Sequence, residues 1–325
     1  MHSFGALREP RVDVSALRSQ WVVGRGAPLA PRTLRPKVIA IFGPTASGKS
    51  AVAQQLATHL QTEVVSADAL QVYDGIPILT NQSTWPTRLT AIRGLTDEMS
   101  VGEYAVLAHD EIDALVDANG IAVVAGGTGL YLRAALADLD IPASVARATR
   151  KLVERLYDAD PDAAHARLAA LDPAAAGAVH VNDRRRVVRA IELAESGQSL
   201  VPATDELWSE ATRHPTLVVG LDLPSSTLEE RIRERTREML DRGAGAEARA
   251  AKAHGISQTA AKALGLEELA TAPPEDVEER IVVRTRRYAA YQRKWMRRIP
   301  GLVLVDADRP TEDVVDEILD LARAR

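Results

Sequence analysis

The sequence predicts an α/β fold: a parallel sheet flanked by helices, interrupted by a helical insertion. Three observations predict it. Short apolar runs, Val38–Phe42 and Ile121–Ala125 among them, alternate with segments of helical period, as expected for strands buried on both faces of a sheet. The first run leads directly into Gly43-Pro44-Thr45-Ala46-Ser47-Gly48-Lys49-Ser50, the G-x-x-x-x-G-K-S spacing of a phosphate-binding loop between strand and helix. Residues 140–210 are rich in Ala and Arg and carry no apolar strand run.

The loop is the most specific of the three. Gly43 and Gly48 let the backbone turn so that successive N–H groups face inward around an anion. Lys49 adds a point charge, and Ser50 offers a hydroxyl to a magnesium ion. The helix expected from Ala51 to Leu60 aims its N-terminus at the same anion. The fold class is therefore P-loop NTPase-like. Which phosphate compound the loop holds is left open at this point.

Composition bounds the rest. At 325 residues with 46% hydrophobic residues, the chain can bury a sizeable core. It has no cysteine, which excludes disulfides, thiolate zinc sites and thiol catalysis and fits a reducing, cytoplasmic setting. No apolar run is long enough to span a bilayer, and no N-terminal apolar segment with a cleavage site points to secretion. The net charge is −5, yet basic residues cluster at Arg184-Arg185-Arg186, Arg231 to Arg237, and Arg284 to Arg298. Local patches of this kind bind nucleic acid even on an acidic protein. Each is also compatible with a solvated helix face, most readily Arg231 to Arg237, where Glu229, Glu230 and Glu234 are at hand.

Taken in order, residues 1–35 lack periodicity and read as a disordered tail. The core is expected in two pieces, 36–139 and 211–325, with 140–210 as the inserted helical domain. Glu63 to Asp68 reads as a second strand ending in an acid. Ligands of open parallel sheets sit beyond the carboxyl ends of the strands, so Asp68 is placed to take a proton, to reach magnesium through water, or simply to cap a helix N-terminus. Residues 76–96 read as a loop. A helix over Val101 to Val116 has Ser100 as its N-cap. A third strand delivers Gly126-Gly127-Thr128-Gly129 to the same edge. Beyond the insertion, Thr216 to Leu221 returns to the sheet, Ser226 to Leu240 is helical with Ser226 or Thr227 as cap, and Glu275 to Met296 is a long basic helix. Its Tyr288, Tyr291, Trp295 stripe reads as core packing rather than a base-stacking platform. Leu302 to Asp306 is a last strand before a closing helix.

These motifs, in this order, resemble the tRNA dimethylallyltransferases, the isopentenyl (IPP) transferases acting on tRNA. The resemblance is carried by Gly43 to Ser50, by Ser66-Ala67-Asp68-Ala69-Leu70-Gln71-Val72-Tyr73, and by Ser100-Val101-Gly102-Glu103-Tyr104. Gly126 to Tyr131, Leu171-Asp172-Pro173, Asn182 to Arg186, Leu228 to Gly243 and Gln292 to Arg297 extend it over nearly everything from Lys37 to Arg298. It implies that the loop Gly43, Pro44, Thr45, Ala46, Ser47, Gly48, Lys49 and Ser50 grips the diphosphate of dimethylallyl diphosphate, with Mg2+ at Ser50. An adenosine amine beside the anticodon then attacks the five-carbon chain. Asp68 matches the family's base, and Arg235 its diphosphate-contacting arginine, beside Thr45 and Lys49. Asp68, Ala69, Leu70 and Gln71 fall in the motif that recognises the everted adenine, and Thr128 matches a residue near it. Arg185, Arg186 and Arg189 match a tRNA-contacting segment, Lys262 and Gly265 a second, and Arg147 a third. The implied partner is the anticodon stem-loop of tRNA. No membrane is involved, and a monomer is the default expectation.

Several positions depart from the family pattern. Ile78-Leu79-Thr80-Asn81-Gln82-Ser83 stands where Gly-Thr-Ala-Lys-Pro is usual, and Ala91 to Asp97 lacks a usual His-bearing segment. Leu266 stands for a common Tyr and Tyr291 for a usual Arg. These departures cluster at the substrate mouth. They leave open a free adenine nucleotide as acceptor, and a tRNA-binding paralogue without turnover. A phosphate-loop kinase is the remaining alternative.

Overall fold

Strand β1 (Val38–Phe42) has no exposed residue. Its alternation assigns Val38, Ala40 and Phe42 to one core and Ile39 and Ile41 to another, because successive side chains of a strand point to opposite faces. A strand buried this way sits in mid-sheet with helices on both sides. The structure, a computed structural model, describes residues 36–142, 147–201 and 206–325. The expected tail, 1–35, lies outside the described residues, as do the side chains of Arg147 and Glu206.

The first half continues with α1 (Lys49–Leu60), β2 (Val64–Ser66), α2 (Pro77–Thr80), β3 (Thr87–Arg88), α3 (Val101–Asn119), β4 (Ala122–Gly126) and α4 (Gly129–Leu136). Ser100 caps α3 in a reciprocal box: its hydroxyl accepts from Glu103 N while Glu103 accepts from Ser100 N, an arrangement that stabilises a helix start by about 1 kcal/mol. Next come α5 (Arg147–Ala159), α6 (Pro161–Leu171), α7 (Pro173–Ala178) and α8 (Arg184–Glu195). These four bury an apolar cluster of their own around Val153, Leu168, Val187 and Ile191. The chain then returns through β5 (Thr216–Asp222), α9 (Ser225–Asp241), α10 (Ala244–His254), α11 (Leu266–Thr271), α12 (Val277–Met296), β6 (Val303–Asp306) and α13 (Thr311–Ala324).

Among the described residues the six strands form one sheet in the order β3-β2-β4-β1-β5-β6, and every pairing is parallel. Helices α1 and α13 cover one face through Val52, Leu56, Val315 and Ile318. Helices α3 and α4 cover the other through Tyr104, Ile112 and Leu132. This is the P-loop NTPase-like arrangement expected.

Three local expectations are corrected. The span 76–96 is not all loop: it holds α2 and the edge strand β3, both too short to show a periodicity. Helix α9 begins at Ser225, with Pro224 in the N-cap position and no side-chain cap, so neither Ser226 nor Thr227 caps it. The basic helix starts at Val277, after a 3-10 turn over Pro274–Asp276.

The exit from the 147–195 helices is tied down by a buried cation. Arg133 on α4 is 1% exposed and donates to Leu207 O at 2.9 Å and Ser209 O at 3.0 Å. Between those anchors Trp208 packs against Trp295 in a tilted pair, centroids 5.1 Å apart, and Arg298 covers its ring at 3.9 Å, within cation–π reach.

Candidate active site

Three strand ends define the site. In the register of the sheet Phe42 pairs with Gly126, and Ala125 with Ser66, so the segments after β1, β2 and β4 leave the sheet side by side. The β4 exit admits no side chain: a Cβ on Gly126 would lie 2.0 Å from Ala67 O. In the phosphate loop Gly48 has φ +87°, a left-handed backbone that favours glycine.

One residue clips the strand exits together. Gln292, on α12 and 2% exposed, accepts from Thr45 N at 2.7 Å and donates to Gly127 O at 2.8 Å. Its amide thus uses both ends on the backbone of two different loops. Loss of either partner leaves a buried polar group unpaired, which costs about 1–3 kcal/mol. Arg235 on α9 adds a second tie, donating to Thr45 Oγ1 at 2.6 Å. Lys49 Nζ donates to Pro44 O at 2.7 Å within the loop.

The cleft beside this loop holds about 660 Å³ of space, open solvent included. Thr45, Lys49, Ser50 and Arg235 form its polar floor, and Asp68 and Gln71 stand on one wall. Leu70, Leu79 and Leu264 make an apolar flank. Asp68 Oδ1 accepts from Leu70 N at 2.9 Å, which orients the carboxylate and leaves Oδ2 without a hydrogen-bond partner among the described residues. Gln71 Oε1 accepts from Ser66 Oγ at 2.9 Å, and its Nε2 donates to Thr80 O and Asn81 O. Thr128 Oγ1 accepts from Ala69 N at 3.2 Å. Burial, then the nearby Asp68 charge, push the Tyr288 phenol well above its ordinary value.

Charge in the cleft is concentrated. Burial, with Arg235 adding to it and Asp68 opposing, pulls Lys49 down to about 7. Burial also lowers the Arg235 guanidinium. An anion in the loop favours the charged ammonium. Above a pH of about 7 the free protein carries Lys49 largely neutral, so anion binding must then take up a proton. Titration calorimetry with pyrophosphate, in buffers of different ionisation enthalpy, should therefore show at about pH 8 a proton-uptake contribution from Lys49. Affinity should weaken as pH rises from about 6 to 9, and Lys49→Met should abolish that contribution.

The remaining expected residues lie elsewhere. Gly43, Pro44 and Ser47 form the backbone of the loop, and Ala46 and Gly48 face its outer side near Arg231 and Glu238. Arg185 and Arg186 are exposed at the start of α8, whereas Arg189 is half-buried and bonds to Pro142 O and Glu192. Lys262 is on the surface; partial desolvation first, then the Arg185 charge, lower its ammonium. Gly265 is buried, with φ +91°, behind Leu79, Met239 and Ile281, so it shapes backbone rather than surface. The Arg147 side chain lies outside the described residues.

Gln292 and Tyr288 were not foreseen as site residues. The aromatic stripe on α12 splits three ways: Tyr288 enters the cleft, Tyr291 is 55% exposed, and Trp295 packs against Gly129. The available signal was spacing, since Tyr288 and Gln292 are four apart and share a helix face.

The family model described as IPP transferase matches residues 71–299. A tRNA dimethylallyltransferase of Thermobifida fusca is 37% identical over 297 residues, 86% of this chain and 92% of that protein. One of Streptomyces avermitilis is 37% identical, covering 82% of this chain and 88% of that one. The crystal structure of a tRNA isopentenylpyrophosphate transferase from Bacillus halodurans superposes with TM-score 0.64 at 28% identity, over 89% of this chain and 96% of the other. A eukaryotic dimethylallyltransferase acting on tRNA gives TM-score 0.74 at 27% identity, over 89% and 80%.

Proposed function

This chain belongs to the IPP transferase family, and from that premise we propose that it moves a dimethylallyl group from dimethylallyl diphosphate to the exocyclic amine of an adenosine beside the anticodon of tRNA, releasing diphosphate. The observation that carries this reading is the single cleft in which a phosphate loop, two cations, a carboxylate and an apolar flank converge.

The donor's diphosphate lies in the loop, against Lys49, Arg235, Thr45 and the backbone N–H groups. Its five-carbon chain lies along the apolar flank. The amine lone pair forms a bond to C1 of the dimethylallyl group as the C1–O bond breaks, and both electrons of that bond leave with the diphosphate. Lys49 and Arg235 stabilise the charge that develops there. The amine nitrogen sheds its proton to Asp68, whose free oxygen is available as a base. Among the described residues no three His, Asp or Glu side chains group to hold a metal ion. The donor set fits a cation held mainly by substrate oxygens and water, as magnesium commonly is. Ser50 would hold it, and when bound it supplies further charge neutralisation on the diphosphate. Arg185, Arg186 and Lys262 contact the RNA backbone in this reading, and the base leaves the anticodon stack to enter the cleft.

The deciding assay incubates the protein with labelled dimethylallyl diphosphate, magnesium and unmodified tRNA reading codons that begin with U, with AMP and ATP in parallel tubes. Label is expected in tRNA. Label in a nucleotide alone would move the acceptor to free adenine nucleotides, and tRNA binding without label would leave a protein that has lost the chemistry.

A further inference from the structure

The amide of Gln71 has only one hydrogen-bonding capacity left to offer. A primary amide carries two N–H donors and two oxygen lone pairs. Nε2 of Gln71 is within hydrogen-bond distance of two carbonyls, Thr80 O at 3.3 Å and Asn81 O at 3.1 Å, one for each of its N–H groups, and Oε1 accepts from Ser66 Oγ. What remains is a single acceptor position on Oε1, in a side chain that lines the cleft.

The two carbonyls that impose this polarity come from the end of α2. That helix has four residues, too few to be stable alone. It is held from outside: Ile78 N donates to Glu247 Oε2 at 2.9 Å and Leu79 N to Glu247 Oε1 at 2.8 Å, both oxygens of one α10 carboxylate. We propose that Glu247 is a positioning residue which, by clamping α2, fixes Gln71 as a hydrogen-bond acceptor and so selects a purine bearing an exocyclic amine over one bearing a carbonyl at that place. The proposal rests on the reading of the cleft as the acceptor-base site. Adenine can donate its amine N–H to Oε1. Hypoxanthine or guanine would set its own oxygen against it, acceptor facing acceptor. With α2 released, the amide can turn and the distinction is lost.

The test uses two anticodon stem-loop RNAs, identical except for adenosine or inosine at the acceptor position, with dissociation constants measured by fluorescence polarisation. The wild-type protein is expected to prefer adenosine by about tenfold or more. Glu247→Ala should cut that ratio below about threefold, with the KM for dimethylallyl diphosphate unchanged within about twofold. Equal weakening of both RNAs with the ratio preserved would make Glu247 a merely structural residue and overturn the proposal. Where Glu247→Ala does not fold, Glu247→Gln removes one of the two bonds to α2, so its ratio should fall below the wild-type value, and an unchanged ratio in that variant overturns the proposal equally. Gln71→Ala separates the two levels of argument. If it leaves the ratio intact, the base-site reading itself has failed, whatever Glu247 does.

Discussion

Asp68→Asn is expected to lower kcat by about 100- to 10,000-fold, the usual worth of a positioned general base, while donor and tRNA affinities change little. The substitution is nearly isosteric, and an amide oxygen can keep the bond that Asp68 Oδ1 accepts from Leu70 N. The turn after β2 is therefore preserved, and what is lost is basicity. An adenine amine shares its lone pair with the ring and is a weak nucleophile, so the transition state depends on proton removal as the C–N bond forms. Single-turnover transfer of labelled donor at saturating tRNA measures the effect. A rate within about threefold of wild type would show that the proton leaves by another route.

Lys49→Met should lower kcat/KM by about 100- to 1,000-fold, comparable with removal of one preorganised donor from an anion-stabilising site. The same change should leave thermal stability intact or raise it. Burial is the main reason the Lys49 ammonium sits near 7 rather than at its ordinary value, so the folded state disfavours its charge. Stability from this group is thus lower below about pH 7 and recovers as pH rises toward the unfolded value. Methionine fills the stem volume and carries no charge. Activity lost while melting temperature holds would mark Lys49 as a residue kept for the anion. A fall in both would assign it to the architecture of the loop through its bond to Pro44 O.

Much of this fold is legible in the sequence for a physical reason. β1, β4 and β5 lie in mid-sheet, and burial on both faces demands continuous apolar runs. The phosphate loop is legible because its backbone geometry restricts residue type at Gly43, Gly48 and Lys49. Ser100 and Glu103 announce the start of α3 by chemistry confined to four residues. The opposite holds for α2 and β3. α2 exists because a carboxylate about 170 residues away accepts two of its N–H groups. β3 is two residues long at the sheet edge, where burial imposes no pattern. Gln292 was hidden for a similar reason. Within its own helix it is one polar residue among many, and only the packing of α12 across both loops brings its amide to Thr45 and Gly127.

The clip at Gln292 also sets a timetable for synthesis. The phosphate loop is translated early, but the residue that fastens Thr45 N to Gly127 O stands 247 positions later. β5, the second neighbour of β1, begins only at Thr216. A nascent chain still on the ribosome carries the whole Gly43 to Ser50 signature for most of its elongation without the scaffold that shapes it. Such distant pairings are slow to form. A fragment ending before α12 would keep the signature and lack the fastening.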